Sequence, residues 1–210
     1  MSCPSQPKRK PRGTTIIEFV LVTTLVLVPL LLGTMVVGFN IIRDIQAHQI
    51  TRDAGHMFAR GVDFSTSNGA GNRAVLTYLS PRLADSTSAG TGTLVLSSFE
   101  YIGKTTCTGC KNQYHAVFTR QLVMGNSALF TSKFGKVPTG SMATDGSGTV
   151  TNPLNDPAVV ADSVLAVLNV DGFTMNDSQI AYVAETYYTS TDFNISGFLS
   201  PGAVYARAIF

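Results

Sequence analysis

Few side chains in this chain have types and spacing suited to chemistry. Between Arg12 and Arg43 there is one charged residue, Glu18, at the mouth of an apolar run that begins Thr14-Thr15-Ile16-Ile17-Glu18-Phe19. A carboxylate in a membrane-spanning helix costs roughly 2.5 to 3.5 kcal/mol by insertion scales, so an acid kept there is expected to have a function. Cys107 and Cys110 are spaced as CxxC. A thioredoxin-like redox site wants that motif at the start of a helix, and a zinc site wants four ligands. Here strand-like sequence follows the pair and no second CxxC exists. A disulfide clamping a hairpin turn is the expected use, worth roughly 2 kcal/mol for so short a loop; free thiols are the alternative.

The remaining candidates are weaker. His48 and His56 share a polar helix face, but eight residues put them about 12 Å apart along the axis, too far for one metal. His115 opens a strand with no evident partner, and no Gly-x-Ser-x-Gly elbow accompanies it, so a hydrolase triad is not indicated. Asp63-Phe64-Ser65-Thr66-Ser67 matches the Asp-x-Ser-x-Ser metal motif of von Willebrand A domains by letter. That motif needs a hydrophobic strand leading into the aspartate, whereas a helix end leads into this one. The stretch from Asp145 to Asp156 imitates a calcium loop without its sixth-position glycine or its terminal glutamate. Tyr182, Tyr187, Tyr188, Phe193 and Phe198 form an aromatic set better suited to sheet packing than to a binding surface. No metal, no cofactor and no enzymatic activity is expected.

The elements that must carry these residues begin at the membrane. Phe19 to Ile42 is a run of 24 uncharged residues, enough at about 1.5 Å rise each to cross a hydrocarbon core of roughly 30 Å. Ahead of it, residues 1–13 hold Lys8, Arg9, Lys10 and Arg12, no acid and three prolines. Such a basic flank is left in the cytoplasm by the positive-inside rule. The apolar core is longer than the 7 to 15 residues usual in a cleaved secretory signal, and Thr34-Met35-Val36-Val37-Gly38 offers no small-x-small cleavage site. An anchor that stays is therefore expected, with residues 14–42 crossing the bilayer and Pro29 and Gly33 tolerated inside it. Residues 61–210 carry eight Lys/Arg against ten Asp/Glu. The overall net charge of +2 thus comes from the leader, and nucleic acid is not an expected partner.

Beyond the anchor, Ala47, Ile50, Ala54, Met57 and Phe58 recur at helical spacing, which predicts a juxtamembrane amphipathic helix over 43–61 ending at Gly61. One helix is expected from about residue 14 to 60, on the order of 70 Å if unbroken. The outer domain, 62–210, reads as a polar loop, a short helix before Pro81, and a second polar loop at Asp85 to Thr93. Strands follow at 94–102 and 114–123, then an irregular region over 135–157, a helix at Ala158 to Leu168, and strands at 179–189 and 204–210. The fold class is α+β: a long N-terminal helix followed by a small domain with an antiparallel sheet of about four strands.

Gly13 followed by Thr14-Thr15-Ile16-Ile17-Glu18-Phe19, behind a basic leader and ahead of an apolar helix, resembles the processing site of type IV pilin-like proteins. Gln49-Ile50-Thr51-Arg52-Asp53-Ala54-Gly55-His56-Met57-Phe58-Ala59-Arg60-Gly61 and the closing Tyr205-Ala206-Arg207-Ala208-Ile209-Phe210 narrow the resemblance. They look like TadE-like proteins, minor pilins or pseudopilins of the tight-adherence pilus system. The resemblance implies cleavage between Gly13 and Thr14 by a prepilin peptidase on the cytoplasmic side. It also implies an assembly role for Glu18 and Phe19, in the fifth and sixth positions of the mature chain. The implied partners are that peptidase, other pilins and minor pilins, the inner-membrane assembly platform and the lipid bilayer. A membrane-anchored extracytoplasmic binding domain with no pilus role is the alternative.

Overall fold

The computed structural model describes residues 14–83, 90–170, 172, 174–189 and 203–210. Gly13, Cys3, Phe193 and Phe198 lie outside the described residues, as does the side chain of Thr14. The chain divides into two compact units, Met1–Ile42 and Arg43–Phe210.

The described residues of the first unit are helical. Helix α1 spans Thr14–Val22, a π-helical turn covers Thr23–Leu27, and helix α2 begins at Val28 and runs to Ala59. The π turn sits one step before Pro29, which has no N–H to offer the Leu25 carbonyl and crowds it with its ring. Widening the ladder there relieves that conflict. Thr24 Oγ1 donates to the Val20 carbonyl at 2.9 Å and Thr34 Oγ1 to the Leu31 carbonyl at 2.9 Å. Both hydroxyls are therefore satisfied within the helix. Ile16, Phe19 and Leu25 are each about 70% exposed within the chain. Among the described residues one helix, Thr15–Ala59, is long and apolar enough to cross a membrane, with a mean hydropathy of 2.5 over its most apolar window.

The second unit contains a four-stranded antiparallel sheet in the order β2-β1-β3-β4. Its strands are β1 (Gly92–Ile102), β2 (His115–Gly125), β3 (Ile180–Thr189) and β4 (Ala203–Ile209). Leu94 and Leu96 of β1, Leu122 and Met124 of β2, Ala184 of β3 and Ala206 of β4 turn to one face. There they meet Ala47, Ala54 and Phe58 of α2 and Leu76 of α3 (Ala70–Leu79). Gly55 lets the helix come close: a Cβ there would lie 2.3 Å from a ring carbon of Phe210 and 3.1 Å from Ala184 Cβ. Gly61, at φ +80°, closes the helix. Its N–H donates to the Phe58 carbonyl and that of Val62 to the Met57 carbonyl, both at 3.0 Å, a Schellman pair.

The opposite face packs Phe99, Phe118, Phe134, Val137, Val159 and Val164. A bulge between Ser98 and Phe99 sets Phe118 opposite Phe99, with ring centroids 4.6 Å apart. The extra residue, Thr119, offers its carbonyl to Val150 N–H at 2.9 Å, which pins the irregular 135–157 region to the sheet edge.

The expected helix over Ala158 to Leu168 is corrected. A 3₁₀ turn at Pro157–Val159 is followed by α4 at Ser163–Val170. Between them Val160 bridges to Val117, and Ala161 N–H donates to the Ala116 carbonyl at 2.8 Å. Pairing with β2 extends the backbone there, and Asp162 starts the helix afterwards, its carbonyl accepting from Leu165 N–H at 3.0 Å.

Replacing Gly61 with alanine forces an L-residue into the left-handed region. We expect a loss of about 1 kcal/mol, read as a lower chemical-denaturation midpoint with an unchanged slope.

Candidate functional site

Glu18 lies on α1 just past its first turn and is exposed among exposed apolar side chains. Thr14 is the first residue of that helix. A four-residue separation is close to one helical turn, about 6 Å of rise, so the backbone nitrogen of Thr14 and the Glu18 side chain belong to neighbouring positions on one face. Phe19 is 71% exposed on the adjoining face. Thus one acid and a large aromatic stand beside the helix start, with no partner for the acid supplied by the apolar residues that follow.

The second unit places the other candidates in structural roles. Asp63 Oδ1 accepts from Ser65 N–H at 2.8 Å, and its Oδ2 accepts from the Ser65 hydroxyl at 2.8 Å. Arg120 Nη2 donates to Asp63 Oδ1 at 3.0 Å and Arg120 Nε to the Ser147 carbonyl at 2.7 Å. The cation beside this Asp-x-Ser-x-Ser motif is therefore a guanidinium. The Ser65 N–H and hydroxyl, then Arg120, hold the Asp63 carboxyl below the usual range. In the stretch that imitates a calcium loop, Asp145 accepts from Ser147 N–H at 2.9 Å and Asp156 from Ala158 N–H at 3.0 Å. Each acid closes its own turn. Among the described residues no group of three or more His, Cys, Asp or Glu is placed to hold a metal.

His48 approaches Asp44 at 3.8 Å, while His56 packs its ring on Phe210 at a centroid distance of 4.3 Å, so the two do not meet. His115 has a partner that its sequence position does not reveal: Nδ1 lies 2.7 Å from Asp162 Oδ2, and Asp162 Oδ1 accepts from Ala116 N–H at 3.1 Å. This clips the start of β2 to the start of α4. Of the aromatic set, Tyr182 meets Phe58 edge-on at 5.7 Å, Tyr187 stacks on Phe130 at 5.3 Å, and Tyr188 shares a 2.8 Å hydrogen bond with Ser80.

The expected disulfide is corrected too: Cys107 and Cys110 are both free thiols. Burial, then the neighbouring Cys107 thiol, push the Cys110 thiol up. The hairpin loop is closed by hydrogen bonds instead. Asp177 accepts from Gly103 N–H at 2.6 Å and from the N–H and hydroxyl groups of Thr105 and Thr106. Asn112 Nδ2 donates to the Pro153 and Asp156 carbonyls at 2.8 and 2.7 Å. With the loop held at both ends, a cross-link has little left to constrain.

Sequence reasoning also missed Glu185, a fully buried acid in the middle of β3. Its carboxyl receives the Tyr205 hydroxyl at 2.7 Å, Lys133 N–H at 3.1 Å and the Ser132 hydroxyl. The available signal was an acid between Ala184 and Thr186, inside a strand with apolar neighbours. Burial, then the Glu185 carboxyl, push the Tyr205 phenol up, which keeps it a donor.

Comparison with protein-family models, curated proteins and solved structures finds no match for this chain.

Two predictions follow from these clamps. Burial raises Asp177, but the Thr105 and Thr106 hydroxyls and the N–H groups of Thr105 and Gly103 outweigh it and hold the carboxyl well below the usual range. Its stabilising contribution is therefore complete above the unfolded value of about 3.9 and is lost as pH falls toward the depressed folded value. Asp177→Asn should lower stability at neutral pH and flatten the acid limb below about pH 4, measured as denaturation midpoints across pH. Glu185→Ala takes the acceptor from the buried Ser132 hydroxyl and from the partly buried Tyr205 hydroxyl and Lys133 N–H, and should cost about 3 kcal/mol in the same assay.

Proposed function

We propose that this chain is a minor pilin or pseudopilin that acts in assembly of a tight-adherence, type IV-like pilus. Its N-terminal helix anchors it in the bilayer, its second unit lies outside the cytoplasm, and a prepilin peptidase cuts after Gly13. The observation that carries this reading is Glu18, the one charged residue between Arg12 and Arg43, exposed on a helix, α1, whose large apolar side chains Ile16, Ile17, Phe19, Val20, Leu21 and Val22 are all exposed. A fold in which a helix lies across one face of an antiparallel sheet supports the same reading.

The mechanism is a charge pair that exists only after processing. Cleavage between Gly13 and Thr14 creates an ammonium at Thr14, one turn from Glu18. At 4 Å and an effective dielectric of 20, opposite unit charges attract by about 4 kcal/mol. That is comparable with the roughly 2.5 to 3.5 kcal/mol that an unpaired acid costs in the membrane. Pairing therefore offsets the cost of carrying the acid. Because α1 is helical from Thr14, the ammonium and the carboxylate are presented on one face, where the Glu18 of one subunit meets the Thr14 of the next and fixes their stagger. Phe19 packs beside the pair. The partners are the peptidase, other pilins and minor pilins, the inner-membrane assembly platform and lipid; the chain performs no catalysis of its own.

Mass spectrometry of the membrane-extracted protein should find a mature N-terminus at Thr14 in cells with an active prepilin peptidase. Glu18→Gln and Glu18→Ala should still insert in the membrane while co-assembly and pilus output fall. An intact leader in those cells would favour a membrane-anchored binding domain with no pilus role. Unchanged output from both variants would remove the charge pair from the mechanism.

A further inference from the structure

The two edges of the sheet are treated differently. At β2 the outer edge is taken up by the chain's own backbone: Ala161 N–H donates to the Ala116 carbonyl at 2.8 Å, Val150 N–H to the Thr119 carbonyl at 2.9 Å, and Gln121 N–H to the Gly148 carbonyl at 2.8 Å. β4, at the other end of the strand order, pairs with β3 alone among the described residues. Tyr182 and Phe210 exchange both of their backbone bonds, at 3.0 and 2.9 Å, which fixes the phase of that ladder. In an antiparallel pair the bonded positions recur at every second residue, so Val204, Ala206 and Ala208 also turn their backbone groups toward β3. The N–H and C=O groups of Ala203, Tyr205, Arg207 and Ile209 therefore point outward, and among the described residues nothing pairs with them.

A row of unpaired groups of this kind is complementary to an extended backbone. β4 contains no proline, and its register with β3 is unbroken, so nothing in the strand itself blocks a further pairing. Its side chains select what that backbone carries. On the Phe134 side, the Arg207 guanidinium lies 5.8 Å from the Phe134 ring and the Lys133 ammonium 5.9 Å from the Tyr205 ring. Both residues are exposed, and neither has an ion-pair partner among the described residues. Glu185 stands opposite Arg207 in register, but it is fully buried and its carboxyl is taken by Tyr205, Ser132 and Lys133 N–H. The charged groups around Val204, namely Arg43, Asp53 and Arg82, belong to the α2 side of the strand. What the Phe134 side lacks is an accessible carboxylate.

The end of the edge adds a second requirement. Past Tyr182, β3 runs back through Ala181 and Ile180 with no β4 residue opposite them. There a cavity of about 210 Å³ opens among Leu168, Met175, Ile180, Ala181, Ile209 and Phe210. In strand addition, backbone bonds supply affinity and side-chain pockets supply selectivity.

We propose that the outward edge of β4 docks an extended segment of a partner protein. That segment carries carboxylates on the side facing Arg207 and Lys133, and an apolar side chain at the end that reaches the cavity beside Ile209. A second copy of this chain fits less well, because its own β4 brings another arginine and no acid. The inference rests on the second unit alone and holds whether or not the chain is a pilin.

The test uses the full chain in detergent micelles and reads hydrogen exchange residue by residue. The probe is a peptide of alternating glutamate and valine, as long as β4 and ending in leucine; the same peptide with lysine in place of glutamate is its control. In the free chain, the N–H groups of Tyr205, Arg207 and Ile209 should exchange fast and those of Ala206 and Ala208 slowly. At ten times its dissociation constant, the glutamate peptide should slow the first set about tenfold. Arg207→Gln should cut the preference for glutamate over lysine about fivefold, the upper worth of an exposed ion pair. Arg207→Pro removes an N–H that makes no bond to β3, a change edge strands tolerate, and should weaken the peptide about tenfold. Its unfolding midpoint reports whether the fold is kept, and Arg207→Gln tests the same position with the backbone intact. Slow exchange of the outward set in the free chain would show an edge already covered. Equal protection by the two peptides, or none, would remove the acidic partner, and protection that rises with chain concentration alone would assign the edge to a second copy. Each of these three results overturns the proposal.

Discussion

The close contact between α2 and the sheet is the constraint on which the second unit depends. Ala47, Ala54 and Gly55 are small where the helix meets β3 and β4, and Phe58 enters only at the helix end. A larger side chain at Gly55 would meet the Phe210 ring and Ala184, so the approach is set by what is missing from the helix surface. The buried hydroxyls of Thr51 and Thr186 inside this contact are both hydrogen-bonded. Thr51 Oγ1 lies 2.6 Å from the Ala47 carbonyl and 2.7 Å from the Thr186 hydroxyl. Everything that joins helix to strand, from the Gly61 turn to α3, is arranged around that packed face.

The other face of the sheet is covered in a different way. From Asn126 to Val170 the chain has one α-helix and two short 3₁₀ turns, and much of its backbone lies outside regular elements. Irregular backbone over a core must find a partner for each polar group it buries. Here side chains provide many of them: Gln121 amide to Gly135 carbonyl and Val137 N–H to Gln121, Arg120 to Ser147, Asn112 to Pro153 and Asp156, and Glu185 to the Ser132–Lys133 corner. Among the described residues no buried side-chain nitrogen or oxygen lacks a hydrogen-bond partner. A network satisfied in this way specifies one arrangement of a segment that hydrophobic periodicity alone leaves undetermined.

The candidate site divides along the same line. Glu18 and its helix were legible because a lone charge in an apolar run needs no tertiary partner to stand out. The disulfide expectation went the other way, since two cysteines three residues apart suggest a cross-link until Asp177 and Asn112 are seen to hold the loop without one. Asp162 and His115 are 47 residues apart and Asp177 and Thr106 are 71 apart, so neither pair leaves a local pattern.

The amino-acid sequence by itself determined the apolar helix, the stop at Gly61 and the four strands, whose observed ends fall within two residues of those expected. Each of these depends on a local period or on a glycine's access to positive φ, which neighbouring residues carry between them. Tertiary structure alone decided the strand order, with β3 inserted between β1 and β4, and the break of the 158–168 segment where Val160 pairs with β2. It alone also decided that the cation on the Asp-x-Ser-x-Ser motif is Arg120, and that Arg43 and Arg82 line one groove. These outcomes join residues far apart in the chain, and the energy that selects them comes from burial and hydrogen bonding between those distant groups, which no local pattern encodes.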